Sequence, residues 1–151
     1  MTLDLLAPPG GIVTLAAWPD PEIDARGIAV DGTYSRRAWL PVLGTTSWLV
    51  WGAVAARLGG GDRATCALAE LVPAHDGDVA VVVRALRRLC AYGLTDDGVA
   101  TGQPYGDRTW LVRRTCPPLW DRLLARAPSP VHAIHSTTFL PSAAVLAAAR
   151  V

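Results

Sequence analysis

The middle of the chain alternates between helical periodicity and turn signals, which predicts three successive helices. The first is expected over 47–58, where hydroxyl side chains precede an apolar run that stops at three glycines. The second is expected over 64–72, with apolar residues on one side and Pro73 at its end. The third is expected over 78–92, with Asp78 as its N-cap. Its apolar face is formed by Val79, Val82, Val83, Leu86, Leu89 and Cys90.

The hydrophobic period changes from 3.6 to 2 after Gly93. From Thr109 to Arg114, polar and apolar residues alternate, which predicts a strand over 108–114 that pairs with a strand near 94–96 through a loose hairpin. Pro117 and Pro118 are expected to open a fourth helix that ends at Pro128. The predicted fold class is mostly α with a small antiparallel β-hairpin (α+β).

The two ends of the chain carry weaker signals. Residues 12–17 could form a short strand between two turns, and an alanine-rich segment over 142–150 could form a last helix. We therefore expect an N-terminal arm or appendage over 1–33, one domain over 34–127, and a C-terminal tail over 128–151.

Composition fits a globular chain, because hydrophobic residues make up 51% of it and charged residues 18%. The net charge is only +1, but residues 36–126 carry twelve arginines against eight acidic side chains. All 14 cationic residues are arginine, which a GC-rich genome explains more readily than bidentate contacts to phosphate and guanine do. Three cysteines without framework spacing and an N-terminus without a basic region predict a reduced, cytoplasmic protein.

One segment has nearly the length of a membrane span. Residues 38–56 contain no charge and are flanked by arginines. Pro41, Gly44 and the hydroxyl residues after it interrupt the segment, and they leave too short an apolar helix to cross a bilayer. We therefore expect no membrane partner.

The order of three helices, a strand, a loop and a returning strand resembles the winged helix-turn-helix family of DNA-binding domains. The segments that carry the resemblance are LAEL at 68–71, VAVVVRALRRLCAYGL at 79–94 and RTWLVRR at 108–114. The residue pattern of the predicted second and third helices is similar to that of the same helices in actinobacterial repressors and mobile-element regulators. The resemblance implies that the third helix enters the major groove of double-stranded DNA and that the hairpin contacts the flanking backbone.

Carried onto this sequence, the resemblance implies a DNA-binding set on the outer face of the third helix and at the hairpin tip. That set is Ala80, Val81, Arg84, Arg87, Arg88, Gln103, Tyr105 and Arg108. Arg84 and Arg88 lie four residues apart, so both guanidinium groups are expected on one exposed helix face. The function expected is that of a transcriptional regulator, a repressor in particular, acting as a homodimer on two half-sites.

Other kinds of site have less support in the sequence. His132, His135 and Cys116 lack the spacing of a zinc site, and no nucleophile elbow or phosphate loop occurs. We therefore expect no catalytic residues, metal or cofactor. A second hypothesis keeps the same fold as a protein-binding adaptor in a replication, segregation or phage-encoded assembly. It is favoured by Asp76 and Asp78, whose carboxylates would repel phosphate at the start of the third helix.

Overall fold

The computed structural model describes residues 11–71, 78–97 and 109–139, and these form an α+β fold. The strands are β1 (Ile12–Ala17), β2 (Arg63–Ala67), β3 (Thr95–Asp96) and β4 (Thr109–Val112). The helices are α1 (Pro21–Arg26), α2 (Leu40–Leu43), α3 (Thr45–Leu58), α4 (Val79–Ala91), α5 (Asp121–Leu124) and α6 (Ser129–Phe139). A π-helical turn (Ser35–Trp39) precedes α2, and a 3-10 turn (Leu68–Glu70) follows β2. The α+β class predicted from the sequence is confirmed, but the expected small antiparallel hairpin is wrong as a description of the strands, which form a four-stranded sheet that includes a parallel pair.

The four strands form one sheet in the order β2-β1-β4-β3. β1 is antiparallel to β2, with Val13 opposite Cys66, and parallel to β4, with Leu15 opposite Trp110. Val13 and Leu15 are 3% and 0% exposed because they face the helices, whereas Ile12 on the other face is open to solvent. The predicted strand over 12–17 is confirmed, and this part of the expected arm is one of the two inner strands of the sheet.

Helices α3 and α4 pack against each other and against the inner face of the sheet. Both fall where the sequence predicts them. Asp78 caps α4 by accepting a hydrogen bond from the backbone N–H of Ala80 at 3.0 Å. Gly93 ends the helix in the left-handed conformation, with φ +73°, and the N–H of Leu94 reaches back to the carbonyl of Leu89.

The helix expected over 64–72 is wrong. Residues 63–67 form strand β2, and the LAEL segment begins with the 3-10 turn. A helix would place the apolar residues of this segment on one side, but the alternation of a strand buries them equally well. In β2, Cys66 faces the core and Thr65 faces solvent. The unpaired edge of β1 supplies backbone partners for this segment, and that long-range pairing overrides a weak local preference.

The hairpin expected after α4 is present. β3 and β4 are antiparallel, with Thr95 opposite Val112 and Asp96 opposite Leu111. The hydroxyl of Thr95 donates a buried hydrogen bond to the carbonyl of Leu86 at 3.0 Å, which ties β3 to α4. The residues between the two strands, 98–108, lie outside the described part of the chain.

The C-terminal region differs from its expected form. The fourth helix is the single turn α5, which begins four residues after Pro117. Pro117 and Pro118 disfavour helical backbone at residues 116 and 117. Trp120 is also extended, as the residue before the first turn of α5. α6 follows in the segment expected to be a tail, and its Val131 is buried in the core. The helix expected over 142–150 lies outside the described residues.

Three tryptophans connect these layers. The Trp39 ring meets Trp51 and Trp120 edge to face, with ring centroids 6.1 Å and 5.9 Å apart. The indole N–H of Trp39 donates to the carbonyl of Pro117 at 2.8 Å, and that of Trp51 to the carbonyl of Arg113 at 3.0 Å. Within the described residues, no helix has the length and apolar character needed to cross a membrane, and Gly44 separates α2 from α3 in the segment 38–56.

Candidate functional site

The outer face of α4 carries most of the site residues expected from the sequence. Valine, alanine and leucine side chains form its buried face, and the opposite face holds Arg84, Arg87 and Arg88. Ala80 and Val81 lie partly exposed near the start of the same helix. Because the helix is strongly amphipathic and packed along one side, its three arginines are displayed on a rigid support.

Arg88 is held by the protein itself. Its Nε donates to the carbonyl of Leu43 at 2.8 Å, and a terminal nitrogen donates to the carbonyl of Val42 at 3.0 Å. Its guanidinium also lies over the ring of Tyr92, 5.6 Å from the centroid. These carbonyls end α2, where a cation complements the helix dipole. Arg88 therefore joins α4 to α2, whereas the sequence predicts a free guanidinium beside that of Arg84.

Arg84 and Arg87, unlike Arg88, remain available to contact a ligand. Both are exposed, and neither forms an ion pair or hydrogen bond within the residues that the structure describes. They lie three positions apart, so they are neighbours on the helix surface. The carboxylate of Asp78 is turned toward its own helix as the N-cap, in the role that the sequence predicts.

The hairpin-tip residues Gln103, Tyr105 and Arg108 lie outside the described residues. At the base of the hairpin, Arg63 of β2 donates to the hydroxyl of Thr109 at 3.2 Å. Arg114, just after β4, donates to the carbonyl of Gly61 at 2.9 Å. These two arginines tie the ends of strands together at the surface.

The structure reveals a second arginine centre that the sequence analysis missed. The guanidinium of Arg113 lies 4.3 Å from the centroid of the Trp18 ring and 5.9 Å from that of Trp120. It donates to the carbonyl of Gly93 at 2.8 Å and to the carboxylate of Asp20 at 3.1 Å. The pKa of Asp20 is lowered, first by the N–H of Ile23 that it accepts and then by Arg113. No local pattern brings residues 18–20 beside residue 113, because the parallel pairing of β1 and β4 does so.

Of the two histidines whose spacing does not match a zinc site, His135 has a structural role. The hydroxyl of Tyr34 accepts the N–H of Leu119 at 2.9 Å and lies 2.9 Å from Nδ1 of His135. Burial raises the pKa of Tyr34 to about 12 and lowers that of His135. These contacts fasten α6 to the turn before α2.

The cysteines offer little chemistry. Burial raises the pKa of Cys116 to about 12 and also raises those of Cys66 and Cys90, which disfavours the thiolate needed for nucleophilic attack or metal binding. Potential ligand atoms of Cys90, Asp96 and Asp97 lie within 4.8 Å of one another, but both aspartates already interact with other groups. We assign no metal to this cluster.

No protein-family model matches this chain, and no curated protein or solved structure shows significant similarity to it. The element order that carries the resemblance to winged helix-turn-helix domains is not reproduced in full, because strand β2 stands where the second helix is expected. The resemblance therefore rests on α3, α4 and the β3–β4 pair, and it stays a prediction.

Proposed function

We propose that this protein binds double-stranded DNA through the outer face of α4 and acts as a transcriptional regulator. The observation that carries the proposal is the pair of exposed guanidinium groups on Arg84 and Arg87, neither of which has a protein partner within the described residues. α4 has 13 residues and is therefore about 20 Å long. An α-helix with its side chains is about 10–12 Å across, so it fits the major groove, which is about 12 Å wide.

The rest of the helix surface supports close approach to DNA. Ala80 and Val81 are small, so they allow the first turns of α4 to come near the base edges and offer apolar contact to thymine methyl groups. The Asp78 carboxylate accepts a hydrogen bond from the helix, which offsets part of the repulsion expected between it and phosphate. Arg88 acts in this proposal as a positioning residue, because it fixes α4 to the end of α2.

The proposed DNA complex contains two copies of the chain, because one short helix covers few base pairs and two half-sites multiply affinity. Deleting residues 1–33 is not a suitable test of dimerisation, since it would remove the buried strand β1. Sedimentation of the full chain over a wide concentration range, with and without its selected DNA, tests the stoichiometry without damaging the sheet.

The adaptor hypothesis remains as a second candidate, favoured by two large apolar side chains on the surface. Ile12 of β1 is 53% exposed and Leu49 of α3 is 46% exposed. Exposed apolar groups of this size are common when they stand singly, so they support protein binding less strongly than the arginines support DNA binding.

The test selects duplexes from random DNA and then measures affinity by fluorescence anisotropy at several salt concentrations. Each phosphate that an arginine neutralises adds about one unit to the slope of log affinity against log salt. We therefore expect the Arg84→Ala and Arg87→Ala double variant to flatten this slope by about two units. If Arg84 contacts a guanine, its single variant should also bind the selected site more weakly by about 1–3 kcal/mol and relax the preference at one base pair.

The matched control is the Arg36→Ala and Arg37→Ala double variant. It removes two exposed arginines from the π-helical turn, outside α4, and so lowers the net charge by the same amount. We expect this control to retain most of the affinity and salt dependence. If the α4 variant stays folded and binds as the parent does, or if both double variants weaken binding equally, α4 is not the DNA-binding surface. If the parent itself binds no duplex, the adaptor function takes the place of DNA binding.

A further inference from the structure

We propose that an open cleft at the C-terminal end of α4 binds a small aromatic anion. The cleft has a volume of about 480 Å³, within the range of small-molecule sites. Its walls come from Tyr92 and Gly93 at the end of α4, from Trp120 and Leu123, and from the arginines at 122 and 126. The inference concerns a surface other than the arginine pair proposed to bind DNA, and it does not depend on that function.

The floor of the cleft is a fixed aromatic plane. The indole N–H of Trp120 donates to the carbonyl of Tyr92 at 2.7 Å, and its ring packs edge to face on the buried Trp39. Leu123 adds an apolar surface beside it. Because the polar atom of the indole is already bonded, the part of its ring that borders the cleft offers an apolar surface for contact with an aromatic ligand.

The rim of the cleft is positive. Arg122 and Arg126 are exposed, lie four residues apart and form no ion pair within the described residues. None of the described residues that line the cleft is acidic. Two guanidinium forks beside an apolar floor match a carboxylate attached to a flat ring, since arginine binds carboxylates in a bidentate manner.

The end of a helix normally repels an anion, because its last carbonyls carry partial negative charge. Two carbonyls beside this cleft already accept hydrogen bonds from side chains. That of Tyr92 accepts the indole N–H of Trp120, and that of Gly93 accepts Nε of Arg113 at 2.8 Å. The helix end therefore opposes the ligand less than an open terminus would.

The test uses 2-naphthoate as the probe and its neutral counterpart 2-naphthamide as the control ligand. The full ¹⁵N-labelled chain is titrated at constant ionic strength, and the indole N–H resonance of Trp120 is assigned by comparison with Trp120→Phe. We expect naphthoate to shift this resonance saturably, and naphthamide to bind at least about tenfold more weakly, a difference of about 1.4 kcal/mol.

Variants then identify the groups that bind the anion. The Arg122→Ala and Arg126→Ala double variant should bind naphthoate at least about tenfold more weakly than the parent, whereas the Arg36→Ala and Arg37→Ala variant should not. Arg122→Lys with Arg126→Lys keeps the charge and should bind more strongly than the alanine pair. Equal binding of the amide, unchanged affinity in the alanine pair, or a Trp120 resonance that does not saturate would each overturn the proposal.

Discussion

The outer face of α4 and the Arg113 centre present the same side chain in opposite circumstances. The guanidinium of Arg113 lies over the rings of two tryptophans and is bonded to a carbonyl and a carboxylate, and its side chain is only 13% exposed. Arg84 and Arg87 stand in solvent without such partners in the described structure. An arginine whose guanidinium is hydrogen-bonded within the protein contributes to stability, whereas one without such bonds can donate to a ligand.

Arg88 lies between these two cases. It is on the same helix as Arg84, one turn further along, yet its guanidinium is bonded to the last carbonyls of α2. Exposure alone therefore does not separate arginines available for DNA from arginines used by the fold. The positions of their donors do.

The largest expected effect on stability is at Arg113. Arg113→Ala should lower the free energy of unfolding by about 2 kcal/mol, because it removes one donor from the Asp20 carboxylate, the side-chain donor from the Gly93 carbonyl, and the cation that lies over two rings. The measurement is urea-induced unfolding followed by tryptophan fluorescence and circular dichroism.

The matched control for Arg113 is its neighbour in sequence. Arg114 makes an exposed hydrogen bond to Gly61, so Arg114→Ala should change stability by less than about 0.5 kcal/mol. Equal destabilisation in the two variants would mean that the tryptophan and carboxylate contacts of Arg113 add nothing to the fold.

A smaller effect is expected at Arg88. Arg88→Ala should cost about 1 kcal/mol by removing the hydrogen bonds to Val42 and Leu43, whereas Arg84→Ala should be nearly neutral. In DNA binding the ranking should be the opposite, so that Arg84→Ala weakens binding more than Arg88→Ala does. Both affinities are measured at a temperature where both variants are folded. If Arg88→Ala weakens binding as much as Arg84→Ala while leaving stability intact, Arg88 belongs with the DNA-facing arginines and the contrast with Arg84 disappears.

The sequence predicted those parts of the fold that depend on neighbours in the chain. α3 and α4 follow from helical periodicity and from turn residues at their ends, and the Asp78 cap follows from its position. The β3–β4 pairing follows from alternation across a hairpin. These features need no information from distant residues.

The predictions were wrong where backbone or side chains distant in the sequence determine the local structure or the partners of a residue. Residues 63–67 become a strand because β1 lies beside them, and β1 becomes an inner strand because β4 pairs with its other edge. Helical spacing correctly put Arg88 on the outer side of α4, but it could not show that α2 ends within reach of that side chain. Likewise, nothing near Arg113 in the sequence indicates Trp18 or Asp20.

The smallest expected effect concerns acid stability at the Arg113 centre. The pKa of Asp20 in the folded chain is lowered from its usual 3.8, mainly by the N–H of Ile23 and further by Arg113. Because the unfolded chain binds a proton at this carboxyl before the folded chain does, the stabilisation is present above pH 3.8 and is lost as the pH falls through the lower folded value. Melting temperature measured against pH should therefore fall more steeply below pH 3.8 in the parent than in Asp20→Asn.

Asparagine can still cap α1 through its side-chain oxygen, so the Asp20→Asn variant removes the charge while keeping the cap. Asp31→Asn changes an exposed carboxylate outside this cluster and should give a curve parallel to that of the parent. If Asp20→Asn also runs parallel to the parent in the acid range, the Asp20 and Arg113 contact has no electrostatic share in stability, and the Arg113 centre is held by its tryptophans and its carbonyl alone.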